Sequence, residues 1–277
     1  MLVANLRDRL SLVHDGRAVD VARASDGRFA SDPQAVYEDW DAFVAWASGL
    51  GDAHGEPYDP AALAAPVPRP RQVFALGLNY ALHAREAGLD LPPMPLVFTK
   101  FPSCIVGPDA TVRVATEKVD WEVELVVVVG RRAEEVTTER AWEHVAGVTV
   151  GQDISARDVQ MLGSPPQFSL GKSFPGFGPT GPWVTTVDEL PRRDDLAIAC
   201  AVNGERMQAD RTSSMLFSIP ETIARLSAVC TLLPGDLIFT GTPAGVGNRM
   251  DPPRYLRAGD ELVSTIEGVG SIVTRFA

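Results

Sequence analysis

Apolar and polar positions alternate along RLSLVHDGRAVDVA, residues 9–22, with Asp15-Gly16 at the midpoint. That is the pattern of a β-hairpin. In SDPQAVYEDWDAFVAWASGLG, residues 31–51, the period changes. Val36, Trp40, Phe43, Val44 and Ala47 fall on one helical face. Ser31 or Asp32 can cap this helix, Pro33 suits its first turn, and Gly49 and Gly51 end it. DPAALAAPVPRPRQ, residues 59–72, is rich in Ala and Pro and reads as a linker. The pattern therefore predicts a small N-terminal α/β domain, residues 1–66, and a larger domain, residues 67–277.

The larger part is strand-rich. QVFALG, PLVFTK, ELVVVVG, GVTVGQD, DLAIACAVNG, DLIFTG, ELVSTIE and SIVTRF have the length and composition of strands. Helices are fewer: YALHAREAG after Asn79, ERAWEHVAG from about Thr138, and IPETIARLSAV from Ser218, with Pro220 in its first turn. SLGKSFPGFGPTGPW, residues 169–183, reads as a Gly- and Pro-dense loop. Strands that do not alternate regularly with helices predict an α+β, mostly β fold.

Composition narrows the function. A net charge of −11 argues against nucleic acid, which needs clustered Lys and Arg, and against an anionic membrane surface. Small anionic substrates respond to local charge only. Cys104, Cys200 and Cys230 lie far apart with no CxxC, so neither a disulfide framework nor a zinc knuckle is expected. The first residues lack the apolar core of a signal peptide, and no apolar run is long enough to span a bilayer. A cytoplasmic location is the expectation.

The candidate chemistry starts at VDWEVELVVVVG, residues 119–130, where Asp120, Glu122 and Glu124 open an apolar strand. Glu122 and Glu124 are two apart and face the same way on a strand. One reading is the solvent face of an amphipathic strand. The other adds Asp153, at the end of GVTVGQD, and makes a cation site. Buried carboxylates repel one another, and a hard divalent ion, Mg²⁺ or Mn²⁺, resolves the conflict. In GLNYALHAREAG, His83 and Glu86 share one helical face, and a carboxylate beside an imidazole suits a general base. An ordinary surface pair is the alternative. Lys172 could balance charge near the carboxylates or be a solvated turn lysine. Thr240 and Thr242 sit where DLIFTG runs into a Gly-rich loop, which is either a carboxylate-binding turn or a plain one.

Taken together, GLNYALHAREAG, DWEVELVVVVGR, GQDISARDVQ, GKSFPGFGPTGPW, CAVNGERMQ and LLPGDLIFTGTPAGVG resemble the fumarylacetoacetate hydrolase family, in its order, from about Gln72 to the end. The resemblance implies a mixed β-sandwich roll with a small N-terminal domain, close to the compact bacterial-type members. It implies Glu122, Glu124 and Asp153 as ligands of Mg²⁺ or Mn²⁺ and Lys172 as the active-site lysine. By the same matching, Arg157, Gln160 and Thr242 contact substrate, and His83 with Glu86 activates water on a closing lid. PGFGPTGP after the lysine and Gln152 before the aspartate depart from the common family forms. The resemblance implies a homodimer acting on a small anionic 2-oxo acid. The leading expectation is hydrolytic C–C cleavage of a 2,4-dioxo acid of acylpyruvate or fumarylpyruvate type through a pyruvate enolate. The alternatives are oxaloacetate decarboxylase or lyase chemistry, and isomerisation or hydration of 2-hydroxy-dienoates in aromatic catabolism. A non-catalytic member with a structural ion is the remaining class.

Overall fold

The computed structural model describes residues 1–50, 55–86, 88 and 90–277; Gly51, expected to end a helix, lies outside them. The fold is mixed, with more strand than helix. A twelve-stranded sheet forms its spine. At its centre is Val123–Val129, antiparallel to Val145–Gln152 on one side and to Leu237–Phe239 on the other. Beyond Leu237–Phe239 lie Val73–Gly77, in parallel, and the edge strand Leu96–Thr99. A second sheet of five strands runs in the order Glu205–Arg211, Ala197–Val202, Glu261–Ile266, Gly270–Phe276 and Asp109–Val112.

The central strand shows why the sheets stack. All seven residues of VELVVVV are buried. Period-2 alternation divides them between two cores. Val123, Leu125, Val127 and Val129 pack in the core that takes in Ile198, Leu262 and Ile272 of the second sheet. Val126 and Val128 point the other way, into a core with Val3, Val36, Tyr37, Trp40 and Phe43. The N-terminal segment thus covers the face that carries Glu124. It also extends the spine: Leu2–Leu6 pairs antiparallel with Gly178–Thr186.

The predicted hairpin forms, with His14 opposite Arg17 and positive φ at Asp15 (47°) and Gly16 (72°), the turn whose twist matches its strands. Helix Ile219–Ser227 starts at a capping box between Ser218 and Glu221, with Pro220 in its first turn. Three expectations need correction. GPTGPWVTT is no loop but the strand Gly178–Thr186, because Val145–Gln152 and Leu2–Leu6 give it partners on both sides that outweigh its Gly and Pro content. The segment from Thr138 to His144 is a 3₁₀ helix, as is Ala35–Asp39, so of the helix expected over residues 31–51 only Trp40–Ala47 is regular α-helix among the described residues. Neither Ser31 nor Asp32 caps the helical segment: Gln34 stands at the cap of Ala35–Asp39, and Asp32 accepts from the Gln34 N–H at 3.0 Å and pairs with Arg69.

Candidate active site

Glu122, Glu124 and Asp153 meet because the antiparallel register sets Val123 opposite Gln152. One residue outward, the Asp153 N–H donates to the Glu122 carbonyl at 2.9 Å. Each of the three carboxylates offers an oxygen within 4.8 Å of the others, and all three residues are buried. Gln152 holds the junction: its Oε1 accepts from the Glu122 N–H at 2.8 Å and its Nε2 donates to Ser264 at 2.8 Å.

Three cations face the cluster. Lys172 donates to Glu122 and to Asp153, each at 2.7 Å. Lys100 donates to the other oxygen of Asp153 at 2.6 Å, to the Phe177 carbonyl at 3.1 Å and to the Lys172 carbonyl. Arg157 bonds Asp120 through Nε at 2.8 Å and lies 2.7 Å from Glu122. Burial would push Glu122 up, but Lys172 and Arg157 outweigh it and hold its carboxyl at about 2. Glu124 goes the other way. Burial, with Asp153 and Glu122 alongside, drives it well above the ordinary carboxylate range despite the Gly241 N–H at 2.7 Å. Gly241 has φ +92°, and a Cβ there would come within 2.7 Å of the Asn79 Cβ, so only glycine brings this N–H to Glu124. Four carboxylates, with Asp120, thus face three cations. Hard oxygen ligands, close spacing and surplus negative charge fit a divalent cation such as Mg²⁺ or Mn²⁺.

Glu122 of the cluster lines a cavity of about 340 Å³, together with His83, Arg157, Gln160, Lys172 and Thr242. Hollows of about 700 and 650 Å³, lined mostly by N-terminal residues, share no lining residue with it and gather no such cluster. His83 lies on the short helix Ala81–Glu86 and is buried. Its Nδ1 is 3.2 Å from Glu86, which accepts from the Gly245 N–H at 3.0 Å. With Glu86 ionised, Nδ1 carries the proton and Nε2 is the basic nitrogen. Gln160 Oε1 accepts from Arg157 at 2.9 Å, leaving its amide N–H groups for a ligand. The Thr242 hydroxyl donates to the Val123 carbonyl at 2.9 Å and accepts from Gln208 at 2.8 Å. Holding a substrate carboxylate through that hydroxyl requires it to leave Val123.

The structure thus brings together the nine residues to which the family resemblance assigned roles; Thr240 instead donates to the Leu125 carbonyl at 2.8 Å. Sequence reasoning passed over Lys100, Gln208 and the anchoring role of Asp120, which accepts from the Gly247 and Asn248 N–H groups at 2.7 and 3.0 Å. A lone lysine closing the apolar strand PLVFTK was the one available signal for Lys100.

Fold and site place a buried three-carboxylate cluster beside a His83–Glu86 pair. A family model described as fumarylacetoacetate (FAA) hydrolase C-terminal matches residues 72–277. The chain is 46% identical over 213 residues to a bovine mitochondrial protein named oxaloacetate tautomerase FAHD2B, covering 76% of this chain and 68% of that one. A solved structure from Mycobacterium smegmatis with the provisional name HpcE superposes at TM-score 0.96 with 51% identity, covering 100% of this chain and 99% of that one. A 5-carboxymethyl-2-hydroxymuconate delta-isomerase from the same organism superposes at 0.76 with 30% identity, covering 100% and 98%. The chain belongs to the fumarylacetoacetate hydrolase family.

Proposed function

We propose that this enzyme moves a proton within a small 2-oxo dicarboxylate, interconverting keto and enol forms. The observation that carries the reading is geometric. The His83 imidazole, Glu122 of the three-carboxylate centre and Lys172 line one cavity, with Lys172 between Glu122 and Asp153. The names of relatives, an oxaloacetate tautomerase and a hydroxymuconate isomerase, support proton transfer over bond cleavage.

Mg²⁺ or Mn²⁺ held by Glu122, Glu124 and Asp153 would supply Lewis acidity toward the 2-oxo acid. His83 Nε2 takes a proton from the carbon next to the ketone, the C–H electron pair becomes the C=C bond, the C=O π pair moves onto the oxygen, and the imidazolium returns the proton to that oxygen. Glu86 keeps the imidazole in the required tautomer and stabilises its charged form. Lys172 places a positive charge beside the developing oxyanion. Gln160 offers its amide to the substrate carboxylate.

Hydrolytic C–C cleavage of an acylpyruvate is the second reading, favoured by the same His83–Glu86 pair, which can deprotonate water instead of carbon. The test follows enol decay of oxaloacetate and product formation from acetylpyruvate and fumarylpyruvate, with Mg²⁺ or Mn²⁺. Accelerated enol–keto exchange, lowered about 10²- to 10⁴-fold in His83→Ala, is the expected result. Pyruvate plus a free acid from an acylpyruvate, without enol–keto acceleration, would replace tautomerisation by hydrolysis.

We also infer a homodimer. Leu96 (42% exposed), Val97 (44%) and Phe101 (47%) lie on or beside the open edge strand, with Met161 and Leu162 exposed just after the short helix Arg157–Gln160 and Leu170 exposed on the 3₁₀ helix Leu170–Lys172. An apolar rim of this kind suits a protein partner. The three unpaired cysteines fit a reducing compartment, the cytoplasm or a mitochondrial matrix.

A further inference from the structure

Three cationic side chains besides His83 line the cavity: Arg157, Lys172 and Arg249. Two of them are already neutralised. Arg157 faces Asp120 and Glu122, and Lys172 faces Glu122 and Asp153. Arg249 makes no ion pair with any described residue. It ends the short 3₁₀ helix Gly247–Arg249, and its side chain is solvent-exposed at the cavity wall.

The helix that presents it is tied down. Gly247 and Asn248 donate their N–H groups to Asp120, the carboxylate that also holds Arg157. Asn248 Oδ1 accepts from the Tyr255 hydroxyl at 2.8 Å. A Cβ on Gly247 would collide with the Arg254 carbonyl, so the backbone can close on Asp120 only with glycine there. The guanidinium therefore stands on a fixed base, and its stem remains free to swing over the cavity.

We propose that Arg249 is a specificity residue that binds the second, distal carboxylate of the substrate. This rests on the 2-oxo acid reading above, which puts the first carboxylate and the ketone at the Glu122, Glu124 and Asp153 centre. A guanidinium grips a carboxylate through two parallel N–H groups, which a lysine or an amide does not match. The other cations cannot take this role without abandoning buried acids. The chain thus selects a dicarboxylate over a monocarboxylate of the same length.

The test is calorimetric binding with saturating Mg²⁺ of a matched pair, 2-oxoglutarate and 2-oxopentanoate, which differ only in the terminal carboxylate. The wild type binds 2-oxoglutarate more tightly by about tenfold or more, the discrimination of one charge-assisted contact. Arg249→Gln erases that preference and leaves 2-oxopentanoate affinity unchanged; Arg249→Lys keeps part of it. An unchanged preference in Arg249→Gln, or equal weakening of both ligands, overturns the assignment. If the wild type binds neither acid, the 2-oxo acid reading itself falls, and the assignment with it.

Discussion

Replacing Lys100 by methionine tests the charge balance at its most buried point. Lys100 and Asp153 are both fully buried, and their ion pair measures 2.6 Å. Burial would lower the Lys100 ammonium, but Asp153 more than offsets this, so the lysine stays charged. Methionine keeps most of the volume, which makes the cavity penalty small. What is lost is the partner of one Asp153 oxygen and the donor to the Lys172 and Phe177 carbonyls. Removing one member of a buried pair costs about 3–5 kcal/mol. Asp153 keeps Lys172 at 2.7 Å, which argues for the lower end. An exposed pair such as Arg140–Glu143 is screened by solvent and contributes far less by comparison. Urea unfolding in EDTA measures the difference. Lys100→Met should lose about 3 kcal/mol with an unchanged m-value, and Arg140→Ala far less. Saturating Mg²⁺ should narrow the Lys100→Met gap, because added positive charge compensates Asp153. A loss below about 1 kcal/mol in EDTA would refute the reasoning, since that is the size of a solvent-screened pair.

Two further outcomes follow from the same geometry. Because Glu124 is held well above the ordinary carboxylate range, it keeps its proton in the ion-free protein at pH values where a free glutamate has lost it. A raised carboxyl stabilises the fold most below the unfolded value and loses that contribution as pH rises through the folded one. A divalent ion favours the ionised form, so its binding should release about one proton and tighten as pH rises toward the Glu124 value; calorimetry in buffers of different ionisation enthalpy counts the proton, and a count of zero contradicts the charge assignment. Phe101→Glu on the exposed apolar rim should shift the protein from dimer to monomer in light scattering coupled to gel filtration; a wild type that is already monomeric removes the dimer inference.

Local patterning in the sequence determined the hairpin at Asp15-Gly16, the capped helix from Ser218 and the central strand. Turn preference, capping and alternation act between residues a few positions apart, so neighbours suffice to encode them. The carboxylates were legible for a related reason. Acids at the mouth of a strand that is apolar on both faces demand compensation wherever the strand ends up. The sequence also carried the family resemblance, which the match over residues 72–277 bears out. Tertiary structure alone decided the rest. Pro and Gly in GPTGPWVTT speak for a loop, and only pairing with Leu2–Leu6 and Val145–Gln152 makes it a strand. Lys100 reaches Asp153 across 53 residues and Gln208 reaches Thr242 across 34, distances over which no periodicity carries information. Whether Arg249 is paired or free depends on which acids the fold brings within reach of Arg157 and Lys172. Sheet order and register settle that, because they choose the partners of every buried charge.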